Sequence, residues 1–164
     1  VNENPNEKEL VRLLFSGEEK IIGYIFDNVA VESFVNMNYM KLTELVHDGW
    51  NNGKYSPAYL VEKIYSVELK NFVMKLTLTD DSISKKWDDL SFSGKIEKDT
   101  FEHAVETVRS FQIFQIEEEI KRNNQIMSDS KDERLHIELL QRNRELQDDR
   151  KALLGLKSKN EFDW

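Results

Sequence analysis

No glycine or proline interrupts the chain between Gly94 and Gly155. A stretch of that length, rich in Glu, Arg, Gln, Leu and Ile, satisfies its backbone most readily as α-helix. One polar break, Met127-Ser128-Asp129-Ser130, divides it, and Ser130 with Glu133 has the spacing of a capping box. Asp99 with Glu102 has the same spacing at the upstream end. The expectation is one helix from about Thr100 to Met127 and a second from Ser130 to about Leu154. So short a connection makes them an antiparallel hairpin.

The N-terminal part is punctuated more often, and again as helices. Leu10, Val11, Leu13 and Leu14 form the apolar side of a first helix running from Pro5 to about Phe15. Ser16 and Glu19 read as a capping box for a second, which carries Ile21, Ile22, Tyr24, Ile25 and Phe26. A loosely patterned stretch leads to a third, about Met37 to Trp50, stopped by Asn51-Asn52-Gly53. Ser56-Pro57 reads as a cap with proline in the first turn, opening a helix with Leu60, Val61, Ile64 and Tyr65. Residues 67–78 permit helix or a short strand; with no partner strand in view, helix is the expectation. Asp80-Asp81-Ser82 and Trp87-Asp88-Asp89 are expected to flank one helical turn, with a loop from Ser91 to Gly94. The fold class is therefore all-α: a helical bundle over 1–110, then a hairpin over 111–157 that shares the long helix from about 100, then a tail over 158–164.

Charge and composition narrow the function classes. Lys and Arg total 23 against 31 Asp and Glu, a net charge of −8 that disfavours a sequence-independent grip on nucleic acid. The chain has no cysteine, which removes disulfides, thiolate metal sites and cysteine nucleophiles. No apolar run approaches the ~18 residues of a membrane span. Val1-Asn2-Glu3-Asn4 is acidic and polar, unlike a secretory signal, and a start at Val1 suggests a piece of a longer protein in the cytoplasm.

Advancing about 100° per residue sorts the faces of the long helices. Phe101, Ala104, Val105 and Val108 share a stripe suited to closing the bundle. Further on, Ile113, Ile116, Ile120 and Met127 share one side, with Phe111 and Phe114 pointing elsewhere, towards the bundle. The Ile row suits the stripe Leu135, Leu139, Leu146 and Leu153 on the last helix, which Arg142 and Asp149 interrupt. Ile137 and Leu140 fall off that stripe, beside Arg144, Gln147 and Lys151. A two-helix hairpin leaves that side uncovered, so aliphatic groups there suggest a docking surface.

No catalytic constellation accompanies these faces. His47, His103 and His136 stand far apart, and Asp80-Asp81 and Asp88-Asp89 are explained by capping of helix ends, so no metal or cofactor is expected. The chain holds no phosphate-cradling glycine loop and no Gly-x-Ser-x-Gly elbow. Function rests on binding.

The order and spacing of several segments resemble the helicase-binding domain of bacterial replicative primases of the DnaG type. These are Glu9 to Gly17, Trp87-Asp88-Asp89, Ile116-Glu117-Glu118-Glu119-Ile120-Lys121, Asp132-Glu133-Arg134-Leu135 and Asn143-Arg144-Glu145-Leu146. The clear part covers about residues 85–151. The resemblance implies a bundle followed by a hairpin that docks on the N-terminal domains of a hexameric, DnaB-type replicative helicase and couples RNA priming to unwinding. It also implies that the polymerising and zinc-binding domains belong to other parts of the parent enzyme, so this piece is not itself an enzyme. Its partner-contacting region falls on Arg144, Glu145 and Lys151, on the helix that carries Ile137, Leu140 and Gln147. Residues Leu156 to Trp164 extend past the family's usual hairpin end. Two other readings compete: a non-replicative helical adaptor whose arm self-associates through Leu135, Leu139, Leu146 and Leu153, and a metal-dependent enzyme that requires Asp80, Asp81, Asp88 and His103 to converge. Arg142 and Asp149 weaken the homodimer seam, leaving a monomer or weak self-association.

Overall fold

The computed structural model describes the backbone of residues 2–85 and 93–162, and the side chains of 2–76 and 101–155. Every regular element among them is helical. Seven α-helices follow in order: α1 (Glu7–Leu14), α2 (Glu19–Asn28), α3 (Met37–Asn51), α4 (Pro57–Glu62), α5 (Val67–Lys85), α6 (Ser93–Asp129) and α7 (Glu133–Phe162). Among the described residues one 3-10 turn, Val31–Ser33, precedes α3. The chain divides into two compact units, Val1–Val108 and Arg109–Trp164.

In the first unit α1 is the central element, packed against α2, α3 and α5. Leu10, Val11, Leu13 and Leu14 are all fully buried, with Ile22, Ile25, Leu42, Val46, Leu60 and Val73 around them. The first part of α6 adds Ala104 and Val108 to this core. It also sets Phe101 edge-on to Tyr24 of α2, with ring centroids 5.8 Å apart, and His103 Nε2 3.3 Å from Glu9 of α1. At about 100° per residue Glu7 falls in the middle of the buried arc of α1. Its carboxylate has no exposure. It accepts the backbone N–H groups of Asn4 at 3.2 Å, Val35 at 3.1 Å and Asn36 at 3.0 Å. A buried charge requires such donors, and here they tie the chain start and the lead into α3 to one point.

The helix boundaries depart from the expected ones in four places. Helix α2 begins at Glu19 with no side-chain cap, and Ser16 instead accepts the N–H of Glu18 at 3.2 Å while Gly17 takes a φ of +77°. Helix α4 stops at Glu62, which leaves Tyr65 outside it and 99% exposed. Helix α6 begins at Ser93, so Gly94 and Asp99 lie inside the helix and Asp99 does not open it. Helix α7 is capped by Asp132, whose Oδ1 accepts the N–H groups of Arg134 and Leu135; Ser130 bonds to the N–H of Asp132. At α2, α6 and α7 the expected capping residue had the right spacing but another residue set the boundary, whereas α4 differs only in where it ends.

Residues 67–78 are helical, and α5 continues through Asp80-Asp81-Ser82 to Lys85. Helix α7 runs through Gly155 to Phe162, into the stretch expected as a tail. A lone glycine costs a helix only about 1 kcal/mol, too little to stop one flanked by Leu and Lys. The expected turn at Trp87-Asp88-Asp89 lies outside the described residues. As expected, Ser56 caps α4 at 3.3 Å with Pro57 in the first turn, and Gly53 follows α3 with a φ of +72°; Asn36, for which no cap was expected, caps α3 through two amides.

Candidate functional site

In the second unit the later part of α6 and α7 are joined by the three-residue connection Ser130, Lys131 and Asp132. Side-chain bonds run across the pair in antiparallel order. Arg150 Nε faces Glu117 at 3.9 Å, Arg142 Nε donates to Glu119 at 2.8 Å, and Asn143 exchanges amide bonds with Asn123 at 2.8 Å and Asn124 at 3.1 Å. At the turn, His136 Nε2 lies 2.7 Å from the carbonyl oxygen of Ser130.

The seam between these helices is more polar than the Ile and Leu rows suggest. Leu146 is 3% exposed, whereas Ile113, Ile116, Ile120, Leu135, Leu139 and Leu153 are each half-buried. Asn123 is buried and bonded to Asn143 within the seam. Arg142 reaches Glu119 through two nitrogens and Glu145 through a third. These bonds, Glu119 first, hold the guanidinium above its ordinary pKa. Of the two residues that break the leucine stripe in the sequence, Arg142 is therefore an inter-helix clamp. Phe111 is fully buried and Phe114 half-buried.

The opposite side of α7 remains open. Ile137 is 57% exposed and Leu140 58%, and Arg144, Gln147 and Lys151 are exposed on the same face. Arg144 and Lys151 form no ion pair with any described residue. Glu145 is exposed too, but it lies to one side of this face and is engaged by Arg142 at 3.3 Å. Leu154 extends the face, as an exposed group two heptads beyond Leu140 and one beyond Gln147. The seven-residue spacing of 140, 147 and 154 is the signal that identifies it, hidden by an expected helix end at that position.

Elsewhere the described surface holds an open hollow of about 550 Å³ over Gly17, Lys54, Tyr55, Pro57 and Tyr59. Lys54 and Lys63 both stand over the Tyr59 ring, at 5.7 and 5.3 Å from its centre. A smaller one, about 250 Å³, lies among Phe26, Val29, Glu44, His47 and Asp48. Among the described residues no three His, Asp or Glu side chains gather where a metal ion would sit. His103 pairs with Glu9, and the side chains of Asp80, Asp81 and Asp88 lie outside the described residues. No described helix is long and apolar enough to cross a membrane.

No protein-family model, curated protein or solved structure matches this chain.

Proposed function

We propose that this chain is the helicase-binding domain of a bacterial replicative primase, acting in the cytoplasm by docking the outer face of α7 on the N-terminal domains of a hexameric replicative helicase. The observation that carries the reading is the pair Ile137 and Leu140, each more than half exposed on a hairpin whose other face is occupied internally. Two aliphatic anchors rimmed by Arg144, Gln147 and Lys151 suit a modest, reversible interface. A primase must engage and release its helicase, and six equivalent sites on a hexamer raise avidity without tight single contacts. On this reading the piece binds and positions; primer synthesis belongs to other domains of the parent enzyme, and no cofactor is required here.

The self-associating adaptor draws less support. Its leucine seam is engaged within the chain, with Leu146 buried and Arg142 bonded to Glu119. Sedimentation of the chain with and without a replicative helicase hexamer tests the two together. The proposal expects a complex with the helicase and a monomer alone. The double variant Ile137→Asp/Leu140→Asp is expected to weaken the complex at least ~30-fold, from two anchor residues near the hot-spot threshold. Both positions are exposed, so its circular dichroism and melting temperature should match the parent. Unchanged helicase affinity in this variant would remove the face from consideration.

A further inference from the structure

Charges on α7 are sorted by face. Arg142 and Arg150, part-exposed at the rim of the helix pair, reach across to Glu119 and Glu117 of α6. Arg144 and Lys151 point outwards and meet no described carboxylate. Asp148 lies at the edge of the outer face, four residues from Arg144, without bonding it. Along the helix the outer face runs in a fixed order. Glu133 stands at the turn, Ile137 and Leu140 follow, then Arg144 and Lys151, and Leu154 closes the face. At a rise of 1.5 Å per residue, Leu140 and Lys151 lie roughly 16 Å apart along the axis. Lys151 is therefore a contact separate from Ile137 and Leu140, with Arg144 one turn beyond Leu140 between them.

Resting on the helicase-docking reading above, we infer that the partner is a protein presenting an apolar groove with carboxylates at one end, and that it receives α7 in one direction, Ile137 and Leu140 in the groove and Arg144 and Lys151 against the carboxylates. Charge complementarity carries the argument. In a net acidic chain, two outward cations left unpaired on the one face with exposed aliphatic anchors are matched by an acidic rim. A nucleic acid offers no groove for Ile137 and Leu140, and Glu133 on the same face would repel its phosphates. The same polarity opposes reversed docking, which would set Glu133 against the partner's carboxylates.

The test measures affinity of the full chain for a replicative helicase hexamer at low and high salt, with three variants. Arg144→Glu/Lys151→Glu is expected to lose at least ~10-fold at 50 mM salt and under ~3-fold at 500 mM, where charge is screened. Ile137→Ala/Leu140→Ala is expected to lose affinity by the same factor at both salts. Glu133→Lys, at the turn end, is expected to leave the affinity within ~2-fold, being remote from the carboxylates. Circular dichroism confirms that each variant keeps its helices. Binding by the parent chain with equal affinity and salt dependence in Arg144→Glu/Lys151→Glu overturns the acidic rim and leaves helicase docking standing. Absence of binding by the parent chain overturns both. Competition by a single-stranded oligonucleotide, or self-association abolished by Arg144→Glu/Lys151→Glu, identifies a different occupant and also overturns the inference.

Discussion

The side-chain amide of Asn123 on α6 donates to Oδ1 of Asn143 on α7 at 2.8 Å, in the seam that also holds the buried Leu146. An amide pair at this level holds the two helices in one register, because sliding either helix by a turn buries the amides without partners. Asn143 also donates to Asn124, so one residue reads two consecutive positions of α6.

Replacing Asn143 with Ala leaves the buried Asn123 amide unmatched, and a loss of about 1–2 kcal/mol is expected in urea unfolding. The double variant Asn123→Leu/Asn143→Leu is expected to recover or exceed the parent stability while losing register, seen as concentration-dependent sedimentation.

Glu7 draws three backbone amides to one carboxylate in the middle of the α1 core face. Glu7→Ala strands those amides and opens a cavity, with an expected cost of about 3 kcal/mol. Thermal melting should fall by roughly 10 °C or more for a unit of this size. Exposed Glu18→Ala serves as the control and should shift the melt little.

Tyr39 has its phenol pKa raised, first by burial and then by the Glu3 and Glu7 carboxylates. The folded state therefore holds this proton more tightly than the unfolded chain, whose tyrosines titrate near ~10. The sign follows from linkage. This contribution is intact below the unfolded value and is lost as pH rises through the folded one. Stability should drop between about pH 10 and the higher folded value, and Tyr39→Phe should flatten that part of the profile in urea titrations.

Two helical glycines should respond oppositely to alanine. At Gly49 an added Cβ would sit 2.4 Å from the Lys54 carbonyl oxygen and 2.9 Å from Leu60 Cδ2, so Gly49→Ala is expected to destabilise by about 2 kcal/mol or more. At Gly155 a Cβ meets nothing within 4 Å, and Gly155→Ala should stabilise α7 by about 0.5–1 kcal/mol. Matched denaturant melts of the two variants check both signs.

The sequence by itself determined the all-helical class, the core face of α1, the uninterrupted helices beyond Gly94 and the two-faced character of α7. Those properties follow from local propensity and from apolar periodicity, which act along one segment at a time. Leu10, Val11, Leu13 and Leu14 are buried because the stripe they form has no other low-energy placement. Only the tertiary structure decided which polar groups entered the interior. Glu7 reads as one more acidic first-turn residue until amides 28 and 29 residues away close on it. Arg142 reads as an interruption of a leucine seam, and Asn143 as one more polar residue, until Glu119, Asn123 and Asn124 stand opposite. A buried polar group is tolerable only where distant donors or acceptors converge, and no local pattern records that convergence. The same physics leaves Ile137, Leu140, Arg144 and Lys151 facing outwards, with α7 satisfied on its other side.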